Sequence, residues 1–326
     1  MLLFVVAITT FGEFFTGSYT SATGKTKIYS VTSNSCFISQ CRFSDLLDKA
    51  IICSISSSKL VIGDCIFYQV SSPTHAGVVL FDSLNGECAV KRICCYGCIT
   101  TSANSFGSFL YANQHTKCLI IETSIARSFV ESPQPEQSAV FFFTSGRNHI
   151  MNANISNTKL SSYVIGLIVG TTECTYNYST LFNNIASNAA IIEVQYVNSA
   201  MHKDNFVNNT IYNLAYWVFS QYGGGVMSFI QSIILDCAST TDQVILSSTD
   251  FFFYQCRINK GYIPPEIRTG IVFSTTSTYM FTHFASHFCL TPHIPTPTKQ
   301  PESLPFLKVP NIAHKAMLAM LLALNS

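Results

Sequence analysis

A degenerate repeat with intervals of 23 to 30 residues constrains the fold of this chain more than any other feature. Residues 38–43 (Ile-Ser-Gln-Cys-Arg-Phe) align with residues 62–67 (Ile-Gly-Asp-Cys-Ile-Phe), 24 positions later. Similar segments recur, and the last apolar residue of each is a marker at positions 43, 67, 96, 125, 155, 182, 207, 235 and 258. A period in the twenties with variable insertions is typical of a solenoid, in which loops of different length leave one face.

Each repeat unit predicts two strands. In the marker segment polar and apolar residues alternate, so Cys65 and Phe67 are expected to point inward and Asp64 and Ile66 outward. Asp204 is likewise expected on an outward strand position. A nearly continuous apolar run follows the marker, and such runs are typical of strands in buried parallel sheets. One unit cannot bury its own apolar face. The units are therefore expected to stack as an all-β, single-stranded, right-handed parallel β-helix of nine to ten coils.

The repeat resembles that of right-handed parallel β-helix proteins from protist and bacterial surfaces. In particular it is similar to the trichomonad proteins related to chlamydial polymorphic outer membrane proteins. The resemblance covers about residues 30–290. It rests on the Cys-x-Phe strand ends at Cys41 and Cys65 and on residues 206–209 (Phe-Val-Asn-Asn). It implies a surface-displayed protein. That family usually ends in one transmembrane helix, and this chain departs from the pattern.

Three segments are expected along the chain. Residues 1–22 begin with an apolar run and continue with small and polar residues, which predicts a signal peptide, although no Lys or Arg precedes the run. The alternative is a first buried strand. Residues 23–290 carry the β-helix. Residues 291–326 form a Pro-rich linker and a short apolar tail, whose eight consecutive apolar residues are too few to span a bilayer. No convincing transmembrane helix is therefore expected.

Composition favours the secretory route and an extracellular or cell-surface location. The chain contains 13 cysteines, a high number for a cytosolic protein. Three acceptor sequons for N-glycosylation begin at Asn154, Asn177 and Asn208. The formal net charge of +1 leaves no basic surface for a nucleic acid partner. We expect internal stacking or disulfides between neighbouring coils for Cys41, Cys65 and Cys94.

No cofactor, metal ligand or catalytic residue is predicted. Gly24-Lys25-Thr26 lacks the glycine that a phosphate-binding loop needs at position 19, which is Tyr19. The cysteines at 88, 94, 95 and 98 have no second pair at zinc-site spacing. His283, His287 and Cys289 share a strand face next to the linker, which is more typical of a strand end.

The expected function is non-enzymatic binding or adhesion to a host, matrix or carbohydrate partner. The alternative is a carbohydrate-active enzyme of the pectate-lyase or polygalacturonase type, which requires converging carboxylates and basic residues in one groove. Here the acidic residues are scattered, and residues 257–260 only faintly match the basic motif of polygalacturonases. Trp217 and the aromatic run 251–254 are interpreted as core or ladder residues. An exposed stacking platform for sugar rings is the alternative for them.

Overall fold

The computed structural model describes residues 9–74, 76–101, 107–113, 115–130, 139–160, 166–168, 173–187, 190–212, 218–239, 251–259 and 271–273. All of them lie in the first of the two units into which the chain divides, Met1–Leu290 and Thr291–Ser326. Among the described residues no helix is long and apolar enough to cross a membrane.

The described residues form one short 3-10 helix, Phe11–Glu13, and 33 strands. In chain order the strands are β1 (Thr20–Thr23), β2 (Tyr29–Ser30), β3 (Ser35–Ser39), β4 (Arg42–Ser44), β5 (Ile51–Cys53), β6 (Lys59–Gly63), β7 (Ile66–Tyr68), β8 (Ser71–Ser72), β9 (Val79–Asp82), β10 (Glu87–Tyr96), β11 (Ile99–Thr100), β12 (Leu110–Asn113), β13 (Lys117–Ala126), β14 (Phe129–Val130), β15 (Phe141–Phe143), β16 (Arg147–Met151), β17 (Asn154–Ser156), β18 (Lys159–Leu160), β19 (Gly166–Ile168), β20 (Glu173–Asn177), β21 (Thr180–Phe182), β22 (Ile185–Ala186), β23 (Ile192–Gln195), β24 (Ser199–His202), β25 (Asn205–Val207), β26 (Thr210–Ile211), β27 (Phe219–Tyr222), β28 (Met227–Ile230), β29 (Ile233–Leu235), β30 (Ala238–Ser239), β31 (Phe251–Tyr254), β32 (Cys256–Ile258) and β33 (Ile271–Phe273).

These strands stack in parallel as a β-helix, so the predicted all-β solenoid is confirmed. The first sheet has 18 strands, the second sheet (β2 to β27) has eight and the third sheet (β8 to β30) has seven. A complete coil passes through two strand segments of the first sheet, then the third sheet and then the second. Within the described residues six successive coils, from β6 to β27, contain all of these segments. The number expected from the repeat, nine to ten coils, is thus higher than the six that are complete within the described residues.

Two sharp bends in each coil are made by single residues with positive φ. At the first bend, between the two segments of the first sheet, φ is 52–55° in Gln40, Asp64, Arg92, Glu122, Asn152, Tyr178, Lys203, Gln231 and Gln255. At the second bend, before the third sheet, φ is 50–63° in Asp45, Gln69, Gly97, Arg127, Asn157, Asn183, Asn208 and Asp236. A left-handed backbone costs an L-residue about 1–2 kcal/mol. Strand pairing on both sides of each bend holds the conformation in place.

The residue after each first bend points into the core and explains the Cys-x-Phe motif. The Sγ atom of Cys65 donates to the carbonyl of Gly63 at 3.2 Å, and Thr123 and Ser232 make the same bond to the carbonyl two residues before them. Cysteine therefore occupies a position where other coils carry a hydroxyl residue. The predicted inward orientation of Cys65 and Phe67 is confirmed, with exposed fractions of 1% and 0%. The prediction for Asp204 is wrong: it follows the bend at Lys203 and is fully buried.

A continuous column of apolar side chains fills the core beside the second segment of the first sheet. Its register partners are Phe43, Phe67, Cys95, Ile125, Ile155, Leu181, Phe206, Ile234 and Ile258. The sequence markers at 43, 67, 125, 155 and 258 belong to it. The markers at 96, 182, 207 and 235 lie one residue too far along. Because side chains alternate between faces, a shift of one residue turns the marker outward.

Candidate ligand-binding face

The outward side chains of the first segment of the first sheet form a column across nine coils. We call it the outer column; its register partners are Phe37, Val61, Ala89, Leu119, His149, Thr175, Ala200, Ser228 and Phe252. From Phe37 to Leu119 the column is apolar, and from His149 to Ser228 its side chains are polar or small. The two halves therefore offer different surfaces to a partner.

The apolar half is covered by the chain's own N-terminal segment, Thr9–Phe15, which we call the strap. Phe11 and Phe15 are 1% and 6% exposed and pack with Phe37, Val61 and Ala89. The ring of Tyr19 stacks on that of Phe11 with centroids 4.5 Å apart. Burying apolar area of this kind contributes about 25 cal/mol per Å². The first half of the outer column is thus closed to other ligands while the strap is in place.

Charged groups fix the end of the strap. The Arg92 Nε atom lies 2.6 Å from Asp64 Oδ1, and the same carboxylate accepts the Thr9 N–H at 2.9 Å. Arg92 Nη2 also donates to Thr9 Oγ1 at 2.7 Å. Burial alone raises the pKa of Asp64, but the hydrogen bonds from Arg92 and Thr9 outweigh it and hold that pKa below its usual value. A Cβ on Gly63 would lie 2.7 Å from Thr9 Cβ, so this close approach requires glycine.

The strap and the first three residues of β1 fall within residues 1–22, where the sequence predicts a signal peptide. In the structure β1 pairs with β3, and the strap packs over the first sheet. The alternative interpretation, a first buried strand formed by the apolar run at residues 1–8, falls outside the described residues, which begin at Thr9. Cleavage between Gly17 and Ala22 stays a prediction, and it would remove these contacts.

The polar half of the outer column contains an open pocket of about 350 Å³. Its polar lining comes from Glu173 and Thr175 of β20, Asn198, and Ser228 of β28. The Nδ1 atom of His149 lies 2.7 Å from Thr175 Oγ1, and Asn198 Oδ1 accepts the Val226 N–H at 2.8 Å. The pocket therefore presents a carboxylate, hydroxyls and an amide on one surface. Such a set can both donate to and accept from a polyhydroxylated ligand.

Two exposed aromatic side chains lie at the far end of this face. Phe252 and Tyr254 are each 50% exposed, whereas Phe251 and Phe253 are 5% and 1% exposed. The buried Phe253 stacks on Phe229 with centroids 5.0 Å apart. The interpretation of the run as core is therefore correct for Phe251 and Phe253, whereas Phe252 and Tyr254 are exposed, and their stacking with sugar rings stays a prediction. Trp217 lies outside the described residues.

The three sequon asparagines all lie at the surface, with different accessibility. Asn154 in β17 and Asn177 in β20 are half-buried between neighbouring coils. Asn208 is exposed at a second bend, where its Nδ2 donates to Asn183 Oδ1 at 2.9 Å. An N-linked glycan leaves one N–H on that nitrogen. Asn208 is accordingly the sequon that the fold leaves most open to modification.

Cysteines and metal-binding residues are dispersed by the fold. Cys41 and Cys65 stack in neighbouring coils as expected, and Cys94 is disulfide-bonded. The other 11 described cysteines are free and buried. Among the described residues no group of three His, Cys, Asp or Glu side chains is placed to hold a metal ion. His283, His287 and Cys289 lie outside them.

Three of the described carboxylates are engaged away from the pocket. Asp64 pairs with Arg92 and Glu13 with Lys91, beneath and within the strap. Asp204 is fully buried: Oδ1 accepts the Ser179 N–H at 2.6 Å, and burial raises the pKa of this carboxyl well above its usual value. Asp204 aligns with Cys65 and Ser232, which also follow a first bend. This alignment of the repeats would have revealed that Asp204 is buried.

Comparison with models of protein families, with curated proteins and with solved structures finds no match to this chain. The fold defines the class of protein, which is a parallel β-helix. The resemblance to surface proteins of the trichomonad type stays a prediction.

Proposed function

We propose that this chain is a non-enzymatic β-helix protein of the extracellular space or cell surface that binds carbohydrate. The observation that carries the proposal is the polar half of the outer column, where a pocket of about 350 Å³ shares one face with the exposed Phe252 and Tyr254. Aromatic rings offer an apolar surface to the C–H face of a sugar. Hydroxyl, amide and carboxylate groups beside them bind the sugar's hydroxyls.

The architecture suits an extended ligand. Parallel coils repeat at about 4.8 Å, so side chains at equivalent positions form a regular row along the axis. Thr175, Ala200 and Ser228 are consecutive members of that row. Strand pairing fixes the backbone before the ligand arrives, which lowers the ordering cost of binding. A chain of sugar residues can therefore contact several coils at once.

Binding is favoured over cleavage by the carboxylates at the pocket. Glycoside hydrolysis generally uses two carboxyl groups, about 5–9.5 Å apart. The described lining of the pocket includes one carboxylate, Glu173. Asp64 and Glu13 are committed to the strap, and Asp204 is buried in the core. The geometry thus supports recognition without catalysis.

The extracellular location rests on the cysteine content, the three sequons and the apolar N-terminal run. The exposed position of Asn208 is compatible with it. Expression in a secreting eukaryotic cell tests the location. The proposal expects protein in the medium that carries N-glycans, whereas retention in the cytosol without glycans would refute it. Sequencing the N-terminus of the product decides whether the strap is kept.

Binding is tested with immobilised polysaccharides and a glycan array. The double substitution Phe252→Ala with Tyr254→Ala is expected to weaken binding at least tenfold, equivalent to about 1.4 kcal/mol. Tyr212→Ala is the matched control, because Tyr212 is 56% exposed next to the third sheet, away from the outer column. The unmodified protein should leave the polysaccharide uncleaved, and Glu173→Gln should behave in the same way. Equal binding by the double variant and the control would refute this face as the site. Release of shortened sugars by the unmodified protein would refute the non-enzymatic proposal.

A further inference from the structure

Cys41 and Cys65 occupy the same position in two neighbouring coils near the N-terminal end of the β-helix. The residues around them pair in register, Ser39 with Gly63 and Arg42 with Ile66. Parallel strands lie about 4.8 Å apart, which is within the Cα separation that a disulfide spans. Both thiols point into the core and are free.

The two sulfur atoms have unequal surroundings. The Lys25 N–H donates to Cys41 Sγ at 3.3 Å. The neighbouring Cys65 thiol, helped by this backbone donor, lowers the pKa of Cys41 to about 7. Burial raises the pKa of Cys65 well above its usual value. Cys41 is therefore the more acidic thiol of the pair.

Access to Cys41 requires only a local opening. Its sulfur is covered by the turn at Gly24 and Lys25, which is held by a hydrogen bond of 3.1 Å from Arg42 N to Lys25 O. Gly24 has a positive φ of 64°. Local opening of a turn costs only a fraction of the free energy of global unfolding. A small oxidant can thus reach Cys41 while the stacked coils stay intact.

We propose that Cys41 and Cys65 form an oxidation-sensitive dithiol, which a hydroperoxide converts into a disulfide joining the first two coils. The Cys41 thiolate attacks the peroxide, the O–O bond breaks, and a sulfenic acid forms while the second oxygen leaves as water or an alcohol after taking up a proton. The Cys65 sulfur then attacks the Cys41 sulfur. The S–O bond breaks, and water leaves with the Cys65 proton. Overall the two thiols lose two electrons and two protons to one peroxide.

A second pair of thiols in the same chain provides a matched control. Cys88 and Cys118 are also register partners in neighbouring coils. Both are fully or almost fully buried in the middle of the first sheet. The hydrogen bond with Cys118, together with burial, raises the pKa of Cys88 well above its usual value. This pair also joins neighbouring coils in register, but it lies within the first sheet and not beneath the turn at Gly24 and Lys25.

The test treats the full-length chain with hydrogen peroxide, blocks the remaining thiols and maps the cross-links by mass spectrometry. We expect a Cys41–Cys65 disulfide, with Cys88 and Cys118 alkylated. With a pKa of about 7 for Cys41, the reaction should be about tenfold faster at pH 8 than at pH 6. Cys65→Ser should accumulate a sulfenic acid at Cys41 that dimedone traps, and Cys41→Ser should leave Cys65 unmodified.

Serine is a fair replacement because Ser179 and Ser232 occupy the equivalent position in other coils. Circular dichroism checks that both variants keep the fold. Oxidation of Cys88 and Cys118 at the same rate, or an intact protein whose Cys41 and Cys65 stay reduced, would overturn the proposal. The carbohydrate-binding assay is independent of this result, since the outer column lies on the opposite surface of the strands from these inward thiols.

Discussion

Replacing Asn184 with alanine is expected to destabilise the β-helix strongly, because this buried side chain bonds to three neighbouring segments. Its Oδ1 accepts the N–H and the hydroxyl of Thr158, at 3.1 and 2.8 Å. Its Nδ2 donates to the Ile155 carbonyl at 2.9 Å and to Asn209 Oδ1 at 3.0 Å. Asn184 is fully buried. Water therefore cannot replace these bonds without entering the core.

The size of the effect follows from the groups that lose their partner. The Thr158 hydroxyl can rotate, and Asn209 Oδ1 still accepts the Asn184 N–H at 3.1 Å. The Thr158 N–H and the Ile155 carbonyl lose the bond to the amide, and each buried unsatisfied group costs about 1–3 kcal/mol. The expected loss in the free energy of unfolding is therefore about 2–6 kcal/mol. That is a large part of the stability of a typical domain, about 5–15 kcal/mol.

Urea unfolding followed by circular dichroism measures this loss, and the preceding residue provides the control. Asn183 also belongs to a stack of amides, with its Nδ2 donating to Asn157 Oδ1 at 2.7 Å, but it is exposed. Asn183→Gly keeps the positive φ of 54° and lets water take over the bonds, so it should cost less than about 1 kcal/mol. Asn184→Thr should recover part of the stability, because Thr158 occupies the same position one coil earlier. Equal losses for Asn184→Ala and Asn183→Gly would refute the reasoning.

Two further predictions concern charge and the strap. Asp204→Asn is expected to raise stability at pH 7 and to have little effect near pH 3. Burial raises the pKa of this carboxyl in the folded protein, so the protein loses stability as the pH rises above about 3.8, where the carboxyl ionises in the unfolded chain. Urea midpoints of both proteins at the two pH values check this. An equal shift of the midpoint at both pH values would contradict it. Gly63→Val is expected to release the strap, since its Cβ would lie 2.7 Å from Thr9 Cβ, and limited proteolysis should then cut within residues 9–15 while the solenoid remains. The exposed Gly12→Ala, with open space around its Cβ, is the control and should leave the strap resistant.

The fold was predictable where the marker residue is the inward one. Cys65 and Phe67 were predicted inward and are buried, and Cys41 and Phe43 of the aligned segment are buried as well. Where an apolar outward residue follows the inward one, alternation no longer distinguishes the faces. Val207, Ile233 and Leu235 form a small cluster of their own. These side chains pack against one another on the outer side of the sheet, so the last apolar residue of the segment is not the inward one. The predicted markers at 207 and 235 therefore lie one residue beyond the inward residue.

The candidate site was less predictable because it depends on contacts between distant residues. Phe11 and Phe15 lie in the segment that the sequence predicts as a signal peptide. Only in the folded chain do they pack on Phe37 and Val61. The pairing of Arg92 with Asp64 and Thr9 joins three points of the chain that share no local pattern. In the same way Thr175 and Ser228 become neighbours on one face through strand register alone. The aromatic run was the part of the site visible in the sequence, and its two orientations followed once the register was known.

The bends connect these observations, because one left-handed residue per bend decides which side chains face out. A bend at Asp64 or Lys203 turns the next side chain inward and fixes the alternation of the strands on both sides. The outer column is therefore set by backbone geometry, and its side chains are free to differ between coils. Where they are apolar, up to Leu119, the strap covers them, and from His149 to Ser228 they are polar or small and the face is open. The position of the proposed binding face thus follows from the point at which the column changes from apolar to polar.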